Sequence, residues 1–433
     1  MIKKQKQSRS IWYGLIVSIV WILILRIFYS VPTPGINLAY YKELTSSNGF
    51  YGFWNLMSGG GISNLSVMAL NVSPYITASI IVQLWSNVST KLHDLQHGMK
   101  DDQKHYETIM MRVAVIMALI QGAAMAYGYQ KQGVLAHSEW YWILLVSVIW
   151  AIGTLLCALV GKRIQDHYRI NGVSLILLCN IIASYPSGIK ELYHTFIKGF
   201  SLTRQIASVL IIVFVVFFLF LFTYMVQESE KTLAVHYAGK GFSLNQTSQS
   251  SKFPIKLCPG GVVPVIFAST IMAIPSLAAG FFVSSDALWI KILTSSYWFH
   301  LDDLLPTIGV IPYILLIFAF SYFYANMSIN PRELSENLKK SGGTIPGIRP
   351  GVPTEAYIRH QMRGVVSIGA AALTLIALIP IVLSGLFGLS KISFLGTSII
   401  ITVGVFSELA KTLSASGQSK KYLSTTKKKG GLF

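Results

Sequence analysis

The chain has 433 residues, of which 53% are hydrophobic and only 12% charged, and its mean hydropathy is +0.56. A soluble globule of this size could not hide that much apolar surface, so long apolar runs between polar, lysine-rich loops point to the membrane. The net charge of +18 reflects 35 basic against 17 acidic residues, and Cys157, Cys179 and Cys258 have neither metal-site nor disulfide-framework spacing.

Ten apolar segments follow in chain order, at 11–30, 74–88, 109–129, 141–161, 172–186, 206–226, 261–282, 307–327, 365–386 and 395–409. A helical crossing needs about 20 apolar residues, whereas membrane strands are shorter and alternate. The expected class is therefore an all-α polytopic membrane protein with ten transmembrane helices. The second, fifth and tenth segments are short for a full crossing and are expected to begin or end inside the protein. The first lacks a small-residue cleavage site and reads as a retained span, followed by an extended turn at Val31-Pro32-Thr33-Pro34-Gly35.

Charge sets the orientation. With the N-terminus inside, the cytoplasmic segments hold 27 of the 35 basic residues and the outer segments 7, while Arg26 lies within the first span. The positive-inside rule selects this arrangement, with both ends cytoplasmic. The lysine-rich tail around Lys427, Lys428 and Lys429 is expected to be flexible and close to anionic headgroups. The excess charge is explained by this bias and by phospholipid contact; a docking site for a cytosolic machine is the alternative, and the 6/7 and 8/9 loops would carry it.

Residues 55–81 are the most unusual stretch. Gly59, Gly60 and Gly61 oppose a continuous helix, a weakly apolar run of about ten residues follows, and Asn71, Ser73 and Pro74 break it before the next span. Ten helical residues cannot cross a bilayer. The run either dips back into the bundle or lies as a helix on the outer membrane surface, and broken backbone at depth is tolerated only where protein or water surrounds it.

Few charges lie within the spans. No row of acids or histidines suits a proton or sodium pump, and no Walker loop, carboxylate pair or His/Cys cluster supports catalysis or a cofactor. Two further patterns stand at the cytoplasmic edge. Asn171-Gly172 turns directly into the fifth span. Asn330-Pro331 caps a helix through Lys339 and Lys340, and Ile345-Pro346-Gly347-Ile348-Arg349-Pro350-Gly351 forms a rigid turn projecting Arg349. That turn reads either as a contact tip or as a solvated loop.

These pieces, in this order, resemble one family, the SecY channels of the protein-export translocon. The resemblance runs from about Pro32 to Leu409. It is carried by Pro32-Thr33-Pro34-Gly35, Ser58-Gly59-Gly60 with Ser66 to Leu70, Pro74 to Ile81, Asn171 to Ile176, Gly261 to Ser269, Glu336 to Lys340 with Ile345 to Gly351, and Gly396-Thr397-Ser398. It implies two pseudo-symmetric halves of five helices, 11–187 and 188–409, between cytoplasmic tails at 1–10 and 410–433, with a short re-entrant plug helix near 61–70.

The resemblance also implies site residues. The plug would comprise Gly61, Ile62, Leu65, Val67, Met68 and Leu70. An aliphatic pore ring would comprise Ile76, Ile80, Val173, Leu177, Ile266 and Ile401, with the register at Ile401 ambiguous beside Ile399 and Ile400. A narrow apolar collar resists wetting and ions yet deforms around a passing chain. Arg349, with Lys339 and Lys340, would contact a cytosolic partner. The bundle would open to lipid between the second and seventh spans. Implied partners are SecE-like and SecG-like or accessory small membrane subunits, a SecA-type motor ATPase, unfolded substrates bearing signal peptides, membrane phospholipids and, for a housekeeping form, the ribosome. The implied location is the bacterial plasma membrane.

The chain departs from the family pattern on its cytoplasmic face. The 2/3 loop, His93 to Asp102, lacks the usual glycine–basic run; Lys162 stands where an acid usually follows Gly161; and Leu233-Ala234-Val235 replaces paired arginines. This pattern suggests an accessory-system channel that exports large serine-rich glycoproteins with a dedicated motor. The alternatives are a divergent housekeeping channel and, from another class, a secondary solute transporter, for which polar midplane groups are scarce.

Overall fold

The computed structural model describes residues 11–38, 41, 58–137, 139–168, 171–199, 201–237, 251–282, 287–300, 303–387 and 395–429. The N-terminal basic tail, residues 55–57, Arg169, and Lys240 in the 6/7 loop lie outside the described residues. A helix covers each expected apolar segment: α1 (Ile11–Phe28), α2 (Ser73–Val88), α4 (Lys100–Lys131), α5 (Trp140–Tyr168), α6 (Gly172–Phe196), α7 (Leu202–Glu228), α8 (Val263–Phe282), α10 (Val310–Ser328), α12 (Val352–Phe387) and α13 (Leu395–Lys429). Shorter helices α3 (Thr90–His97), α9 (Leu288–Leu293) and α11 (Pro331–Lys340) lie between them. Among the described residues, seven helices are long and apolar enough to cross a membrane, and Ile16–Phe28 and Val263–Pro275 are shorter apolar stretches. The chain is a polytopic helical membrane protein.

Two expectations are corrected. The fifth segment continues through Pro186 to Phe196 and is long enough to span, because a helix at membrane depth tolerates proline where neighbours satisfy the freed carbonyl. The tenth runs on as α13 to Lys429, so the lysine-rich tail is helical there: its Ala, Leu, Lys and Gln residues are good helix formers and no proline stops it. The membrane-spanning part is all-α, and the loops add a small sheet. Among the described residues the 6/7 loop forms β1 (Glu230–Tyr237) and β2 (Ser251–Lys256), and β3 (Gly343–Thr344) of the 8/9 loop joins them in a three-stranded antiparallel sheet of order β2-β1-β3.

The packing follows from the sequence. In β1, Leu233 and Val235 alternate inward and meet Ile255 of β2, Leu338 of α11, Ile345, and Ile358 and Met362 of α12. The outer edge of β2 carries Lys252, Pro254 and Lys256, which blunt it against stray strand pairing. Asn330 caps α11 by accepting from Arg332 N at 3.2 Å, and Asn171 caps α6 by accepting from Ser174 N at 3.2 Å. By contrast, α7 buries only Leu219, Thr223, Val226 and Gln227 and shows Phe214, Phe217 and Phe218 on its outside, as a lipid-facing helix must.

Candidate functional site: a plugged apolar collar

Residues 59–72 form no helix. They run as consecutive turns, with Ser66 N donating to Gly61 O and Ala69 N to Ser66 O. This corrects the expected plug helix, and the cause is local: Leu65 and Asn71 adopt positive φ of 39° and 48°, which a right-handed helix cannot contain. The turns are pinned from the side by the Pro32–Thr33 segment. Thr33 N and Thr33 Oγ1 both donate to Leu65 O, at 2.9 and 2.8 Å, Val67 N donates to Val31 O, and Trp150 Nε1 of α5 donates to Thr33 Oγ1. Gly153 of α5 makes room: a Cβ there would stand 2.3 Å from Val67 O.

The segment is enclosed. Gly61, Ile62, Leu65, Met68 and Leu70 are buried and Val67 is half-buried, which excludes a helix lying on the outer surface. At its far end Cys157 Sγ of α5 meets Asn71 Oδ1 at 3.2 Å. At its near end Arg26 Nη1 of α1 donates to Gly59 O at 2.8 Å.

Four helices carry the expected ring. Ile76 and Ile80 lie on one face of α2, Val173 and Leu177 on one face of α6, Ile266 on α8 and Ile401 on α13. All six belong to one continuous apolar cluster that also holds Ile62, Leu65, Met68 and Leu70; Val173 is half-buried and the other five are buried. That cluster crosses the chain's midpoint, because its other members come mostly from residues before 190 while Ile266, Phe267, Phe320, Tyr324, Ile401 and Val405 come from after it. Ile401 is almost wholly enclosed, at 1%, but Ile400 packs in a separate cluster with Ile376 and Ala377.

The seam between the two parts holds residues that sequence reading missed. Helix α8 packs on α2 and α4. Phe267 meets the rings of Phe320 and Tyr324 edge-on, at 5.6 and 5.5 Å, and the Tyr324 hydroxyl donates to Gln83 Oε1 of α2. Tyr185 of α6 and Thr402 of α13 share a hydrogen bond of 3.0 Å beside Ile401. A glutamine in the second apolar span and a tyrosine in the eighth were the available signals. Such polar ties at depth need partners, since an unpaired group there costs several kcal/mol.

The cytoplasmic candidates stand apart from this cluster. Arg349, Lys339 and Lys340 are exposed. The Arg349 turn is nevertheless anchored: Ile345 is buried beneath it, Thr354 Oγ1 donates to Arg349 O at 2.9 Å, and Ser335 Oγ donates to Gly351 O at 2.7 Å. Just beyond β2, burial pushes the Cys258 thiol up to about 12. No group of three or more His, Cys, Asp or Glu side chains able to hold a metal occurs among the described residues.

The family model SecY matches residues 66–410. The chain belongs to the SecY family. It is 32% identical over 428 residues to the protein translocase subunit SecY of Streptococcus gordonii, covering 97% of this chain and 96% of that one. It is 34% identical to its counterpart in Streptococcus sanguinis over 439 residues (97% and 96%), and 30% to that of Bacillus subtilis over 423 (94% and 95%). Its fold is similar to a solved protein-conducting channel, with a TM-score of 0.61 over 92% of this chain and 90% of that one at 15% identity. A solved SecY protein, described as having a plug domain that stabilises its closed state and maintains a membrane seal, gives 0.59 over the same shares, also at 15%.

Proposed function

We propose that this SecY-family chain is the pore subunit of a protein-conducting channel that moves unfolded polypeptides across, and apolar segments into, a bacterial plasma membrane. The observation that carries the proposal is the continuous apolar cluster in which aliphatic side chains from α2, α6, α8 and α13 enclose a turn-built plug. Such a collar has no hydrogen-bonding groups to grip a substrate, so it can close around an extended chain of any sequence while excluding water and ions. It gives no site for a small polar solute, which argues against a secondary transporter.

In this reading the chain crosses ten times, in halves at 11–187 and 188–409 between cytoplasmic tails. Ile76, Ile80, Val173, Leu177, Ile266 and Ile401 form the ring, and residues 61–70 seal it at rest. The α2–α8 contact is the front that parts for a signal sequence. The sheet and the Arg349 turn form a cytoplasmic platform for the motor. SecY-family proteins work with a small SecE-type subunit and a SecA-type motor, and the same partners are proposed here; SecG-like or accessory subunits and the ribosome belong to the same proposal.

General secretion and membrane insertion is the reading that the relatives support, since each of those named above is a SecY translocase subunit. One observation favours the narrower role of an accessory channel for serine-rich glycoproteins: the departures at residues 93–102, Lys162 and Leu233-Ala234-Val235 gather on the cytoplasmic face and spare the collar. Vesicles reconstituted with the full channel, its small subunits and a SecA-type motor should take up an unfolded secretory chain with ATP. Uptake of a small solute independent of any polypeptide would overturn the proposal. Uptake of only the serine-rich substrate would select the narrower role.

A further inference from the structure

Arg26 is a half-buried guanidinium in the last turn of the otherwise apolar α1, and its head turns toward the entry to the plug. Its head lies 5.1 Å from the Tyr29 ring and donates to one backbone carbonyl, Gly59 O, at 2.8 Å. No carboxylate pairs with it among the described residues. Gly59 is threaded between two helices. A Cβ there would stand 2.9 Å from Arg26 Nη1, and 2.8 and 2.9 Å from Oδ1 and Cα of Asn180 on α6, and its φ of +59° also demands glycine. The next residue, Gly60, has a φ of +90° with open space where a side chain would be. A clamped glycine is thus followed by a free one, at the point where the chain enters the plug.

We infer that Arg26 is a latch on this hinge, a positioning residue that holds the resting plug through the Gly59 carbonyl. The inference rests on the reading of residues 61–70 as the seal. If the plug leaves by a turn that includes the peptide joining Gly59 to Gly60, the Gly59 carbonyl swings away from Arg26 and the charged hydrogen bond must break. In a low-dielectric bundle the guanidinium is then left short of an acceptor, which biases the pivot toward closure. The other anchors, from Thr33, Val31 and Asn71, join neutral groups.

The test is the resting ion conductance of the full-length channel in vesicles, with the amount of inserted protein measured beside it. Arg26→Met is expected to raise conductance about tenfold or more at unchanged insertion, the equivalent of one charge-assisted hydrogen bond. The decisive readout adds Met68→Cys, because Met68 Sδ lies 3.8 Å from Cys157 Sγ. Bridging residue 68 to Cys157 with a short bis-methanethiosulfonate, which forms a disulfide with each thiol and releases sulfinate, should return the leaky channel to the parent conductance, and reducing the bridge with dithiothreitol should restore the leak. A leak that bridging does not lower would make Arg26 a support of the bundle and overturn the inference, as would an unchanged conductance in Arg26→Met. Arg26→Lys, which keeps the charge but loses the planar fork, is judged by the same two readings where the methionine variant inserts poorly. Deleting residues 61–70 separates the layers: a leaky deletion beside a tight Arg26→Met refutes the latch alone, and a tight deletion refutes the seal and the latch together.

Discussion

The collar and the cytoplasmic platform solve opposite problems with the same chain. Around the plug, Leu65, Met68, Ile80 and Ile401 are almost wholly enclosed in one apolar cluster. On the platform, a small core of Leu233, Val235, Ile255, Leu338 and Ile345 exists to hold charged groups outward, with Arg349, Lys339 and Lys340 in solvent. The difference teaches where specificity resides. An apolar collar reads only shape and so accepts many chains, whereas a rigid, charged tip can select one partner. Substitutions should therefore separate cleanly into those that break the seal and those that break the drive.

The largest effect is expected at the platform's core. Ile345→Ala removes a buried side chain under the Arg349 turn and should cost about 2–5 kcal/mol of local stability. Protease nicking of the 6/7 and 8/9 loops should rise and motor-driven export fall, while resting conductance stays at the parent value. A leak in this variant would erase the division between the two regions.

The reciprocal change is Gly153→Val. The added side chain meets the Val67 carbonyl and should push the plug out of place at a cost of about 1–3 kcal/mol. Conductance should rise roughly tenfold or more with motor binding unchanged, as read by single-channel recording and a binding assay. A smaller stability effect is expected from Arg349→Glu. An exposed substitution should alter stability by less than about 0.5 kcal/mol, yet reversing the charge at a contact can cost several times that in binding. Motor affinity should fall while protein abundance and conductance hold. Abundance falling in step with export would make Arg349 structural.

Smallest of all should be the reactivity of Cys258. Burial raises its folded-state pKa above that of the unfolded thiol, so the neutral form favours the fold below about pH 8.5, and that contribution fades as pH climbs toward about 12. Maleimide labelling of this peptide, followed by mass spectrometry, should stay near zero across about pH 7 to 9 and appear on denaturation. Labelling of the folded channel at neutral pH would show the platform's base to be open.

Much of the membrane part was legible because apolar length and the Asn171 and Asn330 caps are local signals. The turns at 59–72 were not, since the positive φ at Leu65, a residue type that rarely adopts it, goes with contacts to Thr33, which is distant in sequence. Nor was the sheet: His236 pairs with Thr344, 108 positions away, and a two-residue strand leaves no pattern to read. The ring positions came from motif matching. Periodicity alone does not distinguish Ile401 in the collar cluster from Ile400 in the neighbouring one, because that choice depends on how α13 is rotated in the bundle.

The central claim is that polypeptide passes through the ring shared by both parts of the chain. Photo-reactive side chains at Ile76, Ile266 and Ile401, and at the outward-facing Phe217 as a control, can be challenged with a secretory chain stalled halfway across. Adducts from all three ring positions and none from Phe217 are the predicted result. Adducts from Phe217 with none from the ring would contradict it.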